Sequence, residues 1–138
     1  MEMNQDEIVS MIIEARDNGS ATLSLHGKGL EVLPLEIGQL TSLVGLDLGL
    51  NDLTELPPEV GKLTNLAYLQ LGHSRMFQRH NQLTRLSPEI GNLGSLTWLG
   101  LYRNNLTELP AEIGDLTNLM FLNLDDNRLK ELPPTIGN

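Results

Sequence analysis

The chain has 138 residues, 40% of them hydrophobic, which is enough for a single domain with its own core. Its 18 acidic and 9 basic residues give a formal charge of −9, which argues against nucleic acid and anionic membrane surfaces as partners. It has no cysteine, an acidic N-terminus and no apolar stretch of membrane-spanning length, so disulfides, thiolate metal sites, a secretory signal and a membrane span are not expected. The expected location is the cytoplasm.

The first predicted element is an amphipathic helix over residues 4–17. Four apolar side chains fall on one helical face: Ile8, Met11, Ile12 and Ala15. Asn18-Gly19 follows as a stop signal. We therefore expect residues 1–19 to cap the N-terminal end of the rest of the chain.

From residue 20 onwards the chain is a series of similar units. Each unit contains the pattern L-x-L, whose first leucines are Leu23, Leu46, Leu69, Leu99 and Leu122. These leucines are 23 residues apart, except for a gap of 30 between Leu69 and Leu99. Units therefore start near residues 21, 44, 67, 97 and 120, and the third unit carries an insertion within residues 72–80.

The repeating pattern predicts a stacked architecture, because one unit cannot bury its own leucines. The L-x-L alternation is typical of a strand, so we expect parallel strands around residues 22–26, 45–49, 68–72, 98–102 and 121–125. Each return segment has a proline followed by an aliphatic residue and glycine, which predicts a short helical turn that begins at the proline and ends before the glycine. A column of asparagines, Asn51, Asn81, Asn104 and Asn127, is expected to satisfy backbone groups where the chain turns inward. Lys28 takes this place in the first unit, so the ladder should start at Asn51.

The stretch Leu96–Leu116 reads L-x-x-L-x-L-x-x-N-x-L-x-x-L-P-x-x-I-G-x-L, and it resembles the 23-residue class of leucine-rich repeats. This class occurs in plant intracellular Ras-group repeat proteins and in bacterial Roco-type proteins, and the segment from Leu23 to Leu30 resembles the entry of Roco repeats. The resemblance implies an α/β fold, a right-handed solenoid with a curved parallel sheet, as one domain over residues 1–138. It also implies recognition of a protein on the concave sheet face. No GTPase motif is present, so that activity is not carried over.

Aromatic residues are concentrated on the predicted concave face. Tyr68, Trp98 and Phe121 occupy one outward column, and Tyr102 lies in a nearby column. Exposed aromatic clusters are typical of binding hot spots, which favours a partner-binding surface. The alternative is cross-strand stacking that only stabilises the sheet.

The insertion is basic on an otherwise acidic chain. Residues 72–85 hold three arginines and no acid, and we expect Arg75, Phe77 and Arg79 to contact a partner. The alternative is a tolerated surface insertion. The third arginine, Arg85, lies between Glu55 and Glu108 in its repeat column, which predicts an ordinary stacked ion pair.

The sequence predicts no enzyme, no metal site and no cofactor. His26, His73 and His80 suggest a metal site, but His73 and His80 bracket an irregular loop with no nearby acid or cysteine at ligand spacing, so solvated histidines are the preferred interpretation. Asp125-Asp126 with Asn123 could contact calcium, but such a run is more often a solvated rim. There is no phosphate loop, activated nucleophile or distinct pair of carboxylates.

Three functions follow from this pattern. The first is a protein-interaction module, the second is the recognition segment of a larger Roco-type GTPase or other enzyme continuing beyond Asn138, and the third is a self-assembling unit. No polar cap follows Leu122, Leu124, Leu129 and Leu132, which favours the second function, and the third would stack copies through this open end. The last ten or so residues are therefore expected to fray or to pair end to end in a homodimer.

Overall fold

The computed structural model describes residues 2–137, which form one α-helix followed by five turns of strand and 3₁₀ helix. The α-helix, α1, spans Gln5–Asp17. The strands are β1 Thr22–Ser24, β2 Gly45–Asp47, β3 Tyr68–Gln70, β4 Trp98–Gly100 and β5 Phe121–Asn123. The 3₁₀ helices are Leu35–Gln39, Pro58–Lys62, Pro88–Asn92, Ala111–Asp115 and Pro134–Gly137. Among these helices none combines the length and the apolar character needed to cross a membrane.

The N-terminal helix is confirmed together with its start and stop signals. The Asn4 side chain accepts a hydrogen bond from the Glu7 backbone N–H at 2.9 Å, and the Glu7 carboxylate accepts one from the Asn4 N–H at 3.0 Å. The C-cap is Asn18, and Gly19 follows with φ of 61°. Ile8, Ile12 and Ala15 are buried and Met11 is half-buried, so the predicted apolar face covers the first repeat.

The five strands form one parallel sheet in sequential order, as the repeat frame predicts. The aligned leucines are register partners across the sheet: Leu23 with Leu46, Leu46 with Leu69, Leu69 with Leu99 and Leu99 with Leu122. Each regular strand has three residues rather than the five that the pattern predicts. Backbone hydrogen bonds between repeats continue past the third residue, for example from Gly27 N–H to Gly49 O at 2.9 Å, so the sheet face extends beyond the regular strands.

The inward leucines of all repeats merge into one continuous core. In the middle of the stack these side chains are fully buried, as at Leu46, Leu69 and Leu99. In the last repeat Leu122 is half-buried, and Leu132 is 49% exposed. Burial is therefore complete only where a repeat has a neighbour on both sides.

The glycine of each return segment lies inside its 3₁₀ helix, so the prediction that it follows the helix is wrong. A Cβ atom at Gly61 would lie 2.7 Å from the Glu89 backbone oxygen, and one at Gly114 would lie 2.6 Å from that of Thr135. These are the 3₁₀ helices of the next repeats. The glycine is thus required because neighbouring return segments pack backbone against backbone, and its role as a stop signal is secondary.

The asparagine ladder is confirmed and begins at Asn51. The side-chain oxygen of Asn51 accepts hydrogen bonds from the N–H groups of Lys28 and Leu30, both at 3.0 Å. Its amide donates to Leu25 O and Leu48 O, both at 2.9 Å. Asn81, Asn104 and Asn127 repeat the arrangement in later turns. Each amide therefore ties its own repeat to the preceding one.

Candidate functional site

The outward side chains of the five strands and of the two residues after each strand form the open sheet face. Three rings stack across β3, β4 and β5, and we call Tyr68, Trp98 and Phe121 the aromatic ladder. The ring centroids of Tyr68 and Trp98 are 5.8 Å apart at an interplanar angle of 23°, and those of Trp98 and Phe121 are 3.7 Å apart at 11°. The register of the sheet makes these residues direct neighbours, so the predicted column is a continuous stack.

The aromatic ladder both stabilises the sheet and offers surface to a partner. Trp98 is half-buried because a ring covers each of its faces, whereas Tyr68 and Phe121 each keep 38% of their surface exposed. Stacked aromatic pairs contribute about 0.5–1.5 kcal/mol beyond their burial, and ordered rings lose little conformational freedom on binding. The two sequence-based interpretations therefore describe the same residues, and the geometry is compatible with both.

A groove of about 310 Å³ runs beside the aromatic ladder. Trp98 and Phe121 line this groove from the first outward position of their strands, and His73 and Tyr102 line it from beyond the ends of β3 and β4. Gly100 also borders it, without a side chain to fill it. The open sheet face is therefore a shallow channel across three strands with an aromatic wall.

The inserted segment, residues 73–80, forms a rim loop held by ion pairs to other repeats. Arg75 donates two hydrogen bonds of 2.8 Å to Asp126 in the last repeat. Arg79 donates to Asp52 at 2.8 Å in the second repeat and lies 2.6 Å from the Glu2 carboxylate. The bidentate contact with Asp126 raises the pKa of Arg75 above its ordinary range and lowers that of Asp126, while the hydrogen bond to Asp52 raises the pKa of Arg79.

These contacts give the predicted site residues of the insertion a definite place. Arg75 and Arg79 face carboxylates of this chain, so each can meet a partner only by sharing or leaving its ion pair. Phe77 keeps 47% of its surface exposed, and its backbone oxygen accepts a hydrogen bond from Arg103. Their contact with a partner stays a prediction, but the positive charge of the loop is largely compensated within the chain.

A cluster of three rings at the base of the rim loop was not predicted from the sequence. The ring of His73 lies 4.7 Å from His26 and 4.9 Å from Phe77, measured between centroids. Burial and the neighbouring His26 lower the pKa of His73. His26 and Gly72 occupy equivalent outward positions, so the repeat frame could have placed His73 near this column, but not its ring contacts.

The predicted ion pair of Arg85 with Glu55 and Glu108 is wrong. The three residues do line one surface hollow, yet within residues 2–137 no carboxylate lies within 4.0 Å of the Arg85 guanidinium. Exposed Arg and Glu side chains gain little from pairing, because the Coulomb energy barely offsets the lost side-chain freedom. Adjacency in a repeat column is therefore not sufficient to fix a surface ion pair.

The histidines and carboxylates do not form a metal cluster in the part of the chain that is described. No group of three His, Asp or Glu side chains suitable for a metal occurs within residues 2–137. Asp126 is engaged by Arg75, and Asn123 accepts a hydrogen bond from the Asp125 N–H at 2.9 Å. His26 Nδ1 lies 3.4 Å from Asp47, which is a local contact between two repeats.

Deleting Ser74–His80 restores the 23-residue spacing, and we expect the fold to tolerate it. The deletion would place His73 before Asn81 as Leu50 stands before Asn51, a position with φ of 54° that histidine can adopt. The lost ion pairs are exposed or partly exposed and contribute little to stability. Thermal unfolding should be cooperative with a melting temperature only slightly lowered. A chain that fails to fold would show that the rim loop is structurally required.

Three comparisons place the chain among known proteins. A family model described as leucine-rich repeat matches residues 79–129. None of the curated proteins compared with the chain matches it. Solved structures do: a leucine-rich-repeat protein of Leptospira interrogans is 38% identical with a TM-score of 0.64, covering 90% of this chain and 36% of that protein.

Two plant structures are also similar. The ectodomain of the Arabidopsis thaliana membrane receptor kinase GASSHO1/SCHENGEN3, solved in complex with CASPARIAN STRIP INTEGRITY FACTOR 2, is 35% identical with a TM-score of 0.75. The match covers 89% of this chain and 15% of that one. The BIR3–SERK2 complex of the same plant matches at 28% identity and a TM-score of 0.68, covering 83% and 60%. The chain thus spans less than two thirds of the length of each of these proteins.

The fold and the comparisons agree with the repeat pattern. The parallel sheet with one strand per repeat, the N-terminal helix and the buried leucine columns are also features of these neighbours' fold class. This fold is typically a non-enzymatic interaction module. The chain is therefore a leucine-rich-repeat solenoid, and its residues 79–129 match the leucine-rich-repeat family.

Proposed function

We propose that this chain is a cytoplasmic protein-interaction module that binds its partner through the open sheet face, with the aromatic ladder as the anchor. The observation that carries the proposal is the stack of Tyr68, Trp98 and Phe121 beside a groove of about 310 Å³. Rigid aromatic side chains next to a concave surface are the usual centre of a binding hot spot. The lack of cysteine supports the cytoplasm as the location.

The similar structures support a binding role of this kind. The GASSHO1/SCHENGEN3 ectodomain is solved with CASPARIAN STRIP INTEGRITY FACTOR 2, and BIR3 with SERK2. In this chain the aromatic ladder would supply the apolar contact, and Tyr102 would supply a polar edge of the groove beyond the end of β4. Phe77 would extend the contact at the rim, and Arg75 and Arg79 would hold the rim loop in place and contact the partner from there.

A binding experiment tests the role of the aromatic ladder directly. Peptides that bind the full chain are first selected from a displayed random library. Their affinities for the chain and for the Trp98→Ala/Phe121→Ala variant are then measured by calorimetry. We expect affinity to fall by at least about thirtyfold, equivalent to about 2 kcal/mol, because two hot-spot rings are lost. The matched control is Val32→Ala/Leu35→Ala, which removes apolar side chains that are 62% and 60% exposed outside the sheet.

The control variant should bind as tightly as the original chain. Circular dichroism and thermal unfolding confirm that each variant is folded. Unchanged affinity of the ladder variant for every selected peptide, with the fold intact, would contradict the proposed function.

The second candidate is end-to-end pairing of two copies through the last repeat. Within residues 2–137 strand β5 pairs with β4 alone, and a groove of about 320 Å³ lined by Leu119, Leu122 and Ile136 opens beside it. Sedimentation of the chain is expected to show a dimer that Leu132→Glu disrupts, because a buried carboxylate would be unpaired. Leu35→Glu is the control at a 60% exposed leucine of the first repeat. A monomer at all concentrations would eliminate this candidate.

A finer assignment is a further proposal. The N-terminal helix followed by residues 23–30 supports the Roco-type or plant Ras-group class, in which the solenoid would be the recognition segment of a larger GTPase or other enzyme. The residues that bind a partner would be the same in either setting. Sequencing the native reading frame past Asn138 tests this assignment.

A further inference from the structure

We infer that the segment recognised by the open sheet face is an extended cationic peptide, whose basic side chains pair with Asp47 and Asp125 on either side of the groove. This inference rests on the proposed function and specifies its partner. It follows from the charges of the open sheet face, from their positions along the sheet and from the ion pairs that the nearby arginines form.

The open sheet face carries few charged residues, and these are acidic. Its outward positions on the five strands and the following turns carry two carboxylates, Asp47 and Asp125, and no lysine or arginine. Asp47 lies beside His26 and accepts a hydrogen bond from the Gly49 N–H at 2.9 Å, and its side chain is 32% exposed. Asp125 is exposed, and no partner of its carboxylate occurs within residues 2–137.

Within residues 2–137 no lysine or arginine forms an ion pair with Asp47 or Asp125. Arg75 is occupied by Asp126, and Arg79 by Asp52 and Glu2. Arg103 donates to the backbone oxygen of Phe77 and lies near Asp126. The arginines of the rim loop are therefore paired with carboxylates of other repeats, and the open sheet face beside the groove keeps the charges of Asp47 and Asp125 on a chain with a net charge of −9.

The positions of the two carboxylates set the geometry of the ligand. Asp47 is on β2 and aligns with Gln70 at one end of the groove, whereas Asp125 follows β5 at the other end. Three strand spacings separate β2 from β5, which is about 14 Å. An extended peptide crossing the strands covers this distance in about four residues, at about 3.3 Å each.

The ladder fits the part of the peptide between its two charges. An apolar side chain midway would fall between β3 and β4, beside Trp98. The stems of lysine or arginine can also cover apolar surface, and their cations are attracted to aromatic rings. A ligand with acidic side chains would instead meet Asp47 and Asp125 as like charges.

Three synthetic peptides test the charge preference. They share one frame, Gly-X-Ser-Leu-Ser-X-Gly with blocked ends, in which X is lysine, glutamine or glutamate. Trp98 is the only tryptophan, so its indole N–H resonance and its fluorescence report on the groove itself. We expect the lysine peptide to bind about tenfold more tightly than the glutamine peptide, with an affinity that falls as salt is added, and the glutamate peptide to bind weakest.

Variants of the acidic residues locate the effect. Asp47→Asn/Asp125→Asn should weaken binding of the lysine peptide about tenfold and leave the glutamine peptide unchanged. The control is Asp115→Asn/Glu131→Gln, which removes the same charge from exposed residues outside the sheet face and should change affinity less than about twofold.

The outcomes separate this inference from the proposed function. Equal binding of all three peptides, selection of acidic peptides from the library, or equal losses in both variants would overturn the cationic partner. The cationic partner is also overturned if the lysine peptide does not bind while the library-selected peptides lose affinity in the Trp98→Ala/Phe121→Ala variant. In each of these cases the proposed function stands. Library peptides that ignore the ladder variant would overturn the proposed function itself.

Discussion

Replacing Asn51 by alanine is expected to lower the free energy of unfolding by about 2–4 kcal/mol, because each buried backbone group that loses its hydrogen-bond partner costs about 1–3 kcal/mol. Asn51 is completely buried and bonds two N–H groups and three carbonyl oxygens of the first two repeats. Alanine would remove this partner from the N–H groups of Lys28 and Leu30 and from Leu25 O, whereas Leu48 O and Gly49 O keep other hydrogen bonds. The loss should exceed that of a single ordinary hydrogen bond.

Denaturant unfolding of two further variants shows whether burial is the cause. Asn65→Ala removes an exposed amide that donates one hydrogen bond to Thr41 O at 2.8 Å, and it should cost about 1 kcal/mol or less. Asn127→Ala removes the equivalent ladder residue in the half-buried last repeat and should fall between the two. Equal losses of stability for the Asn51 and Asn65 variants would refute the structural role of the asparagine ladder.

Replacing Gly72 by alanine is expected to cost about 3 kcal/mol, at the upper end of the range for overpacking. A Cβ atom there would overlap the backbone oxygen of Tyr102 and lie 2.9 Å from its Cα. Because backbone atoms at this point are bound into the next repeat, they cannot move aside as a flexible side chain would. The groove that Gly72 and Tyr102 both line should also change shape, so peptide affinity should fall together with stability.

Gly94→Ala is the matched control, because a Cβ atom at Gly94 meets nothing within 4 Å. It should leave stability unchanged or raise it by about 0.4–1 kcal/mol through the unfolded state. The measurement is thermal and denaturant unfolding of both variants, with peptide titration of the folded fraction. A Gly72→Ala protein as stable as Gly94→Ala would show that the repeats can separate at this point.

The elements that recur in every repeat were predictable from the sequence, because the same spacing of residues places them equivalently in each repeat. The spacing of Leu46, Leu69 and Leu99 predicted the strand register, since a slip of one residue would turn every leucine out of the core. The asparagine ladder was predicted to start at Asn51 because the equivalent position of the first unit is Lys28, and the structure confirms this start. The aromatic ladder followed directly from this register.

Features that depend on distances between repeats were predicted less well. The glycine of the return segment has two roles that look alike in sequence, and only the approach of Gly61 to Glu89 distinguishes packing from helix termination. The column position of Arg85 suggested an ion pair that side-chain freedom does not maintain. In both cases the repeat frame was correct and the interaction assigned to it was not.

The sequence by itself determined the repeat frame, the parallel sheet, the N-terminal cap and the column of aromatic residues, because each follows from a local pattern repeated along one axis. Only the tertiary structure decided where the rim loop lies. Its contacts join Arg75 to Asp126, 51 residues away, and Arg79 to Asp52, 27 residues away, and no periodicity relates these pairs. The groove was decided with it, as were the carboxylates beside the groove that no lysine or arginine pairs with, since the charge left on a surface depends on which neighbours have already paired.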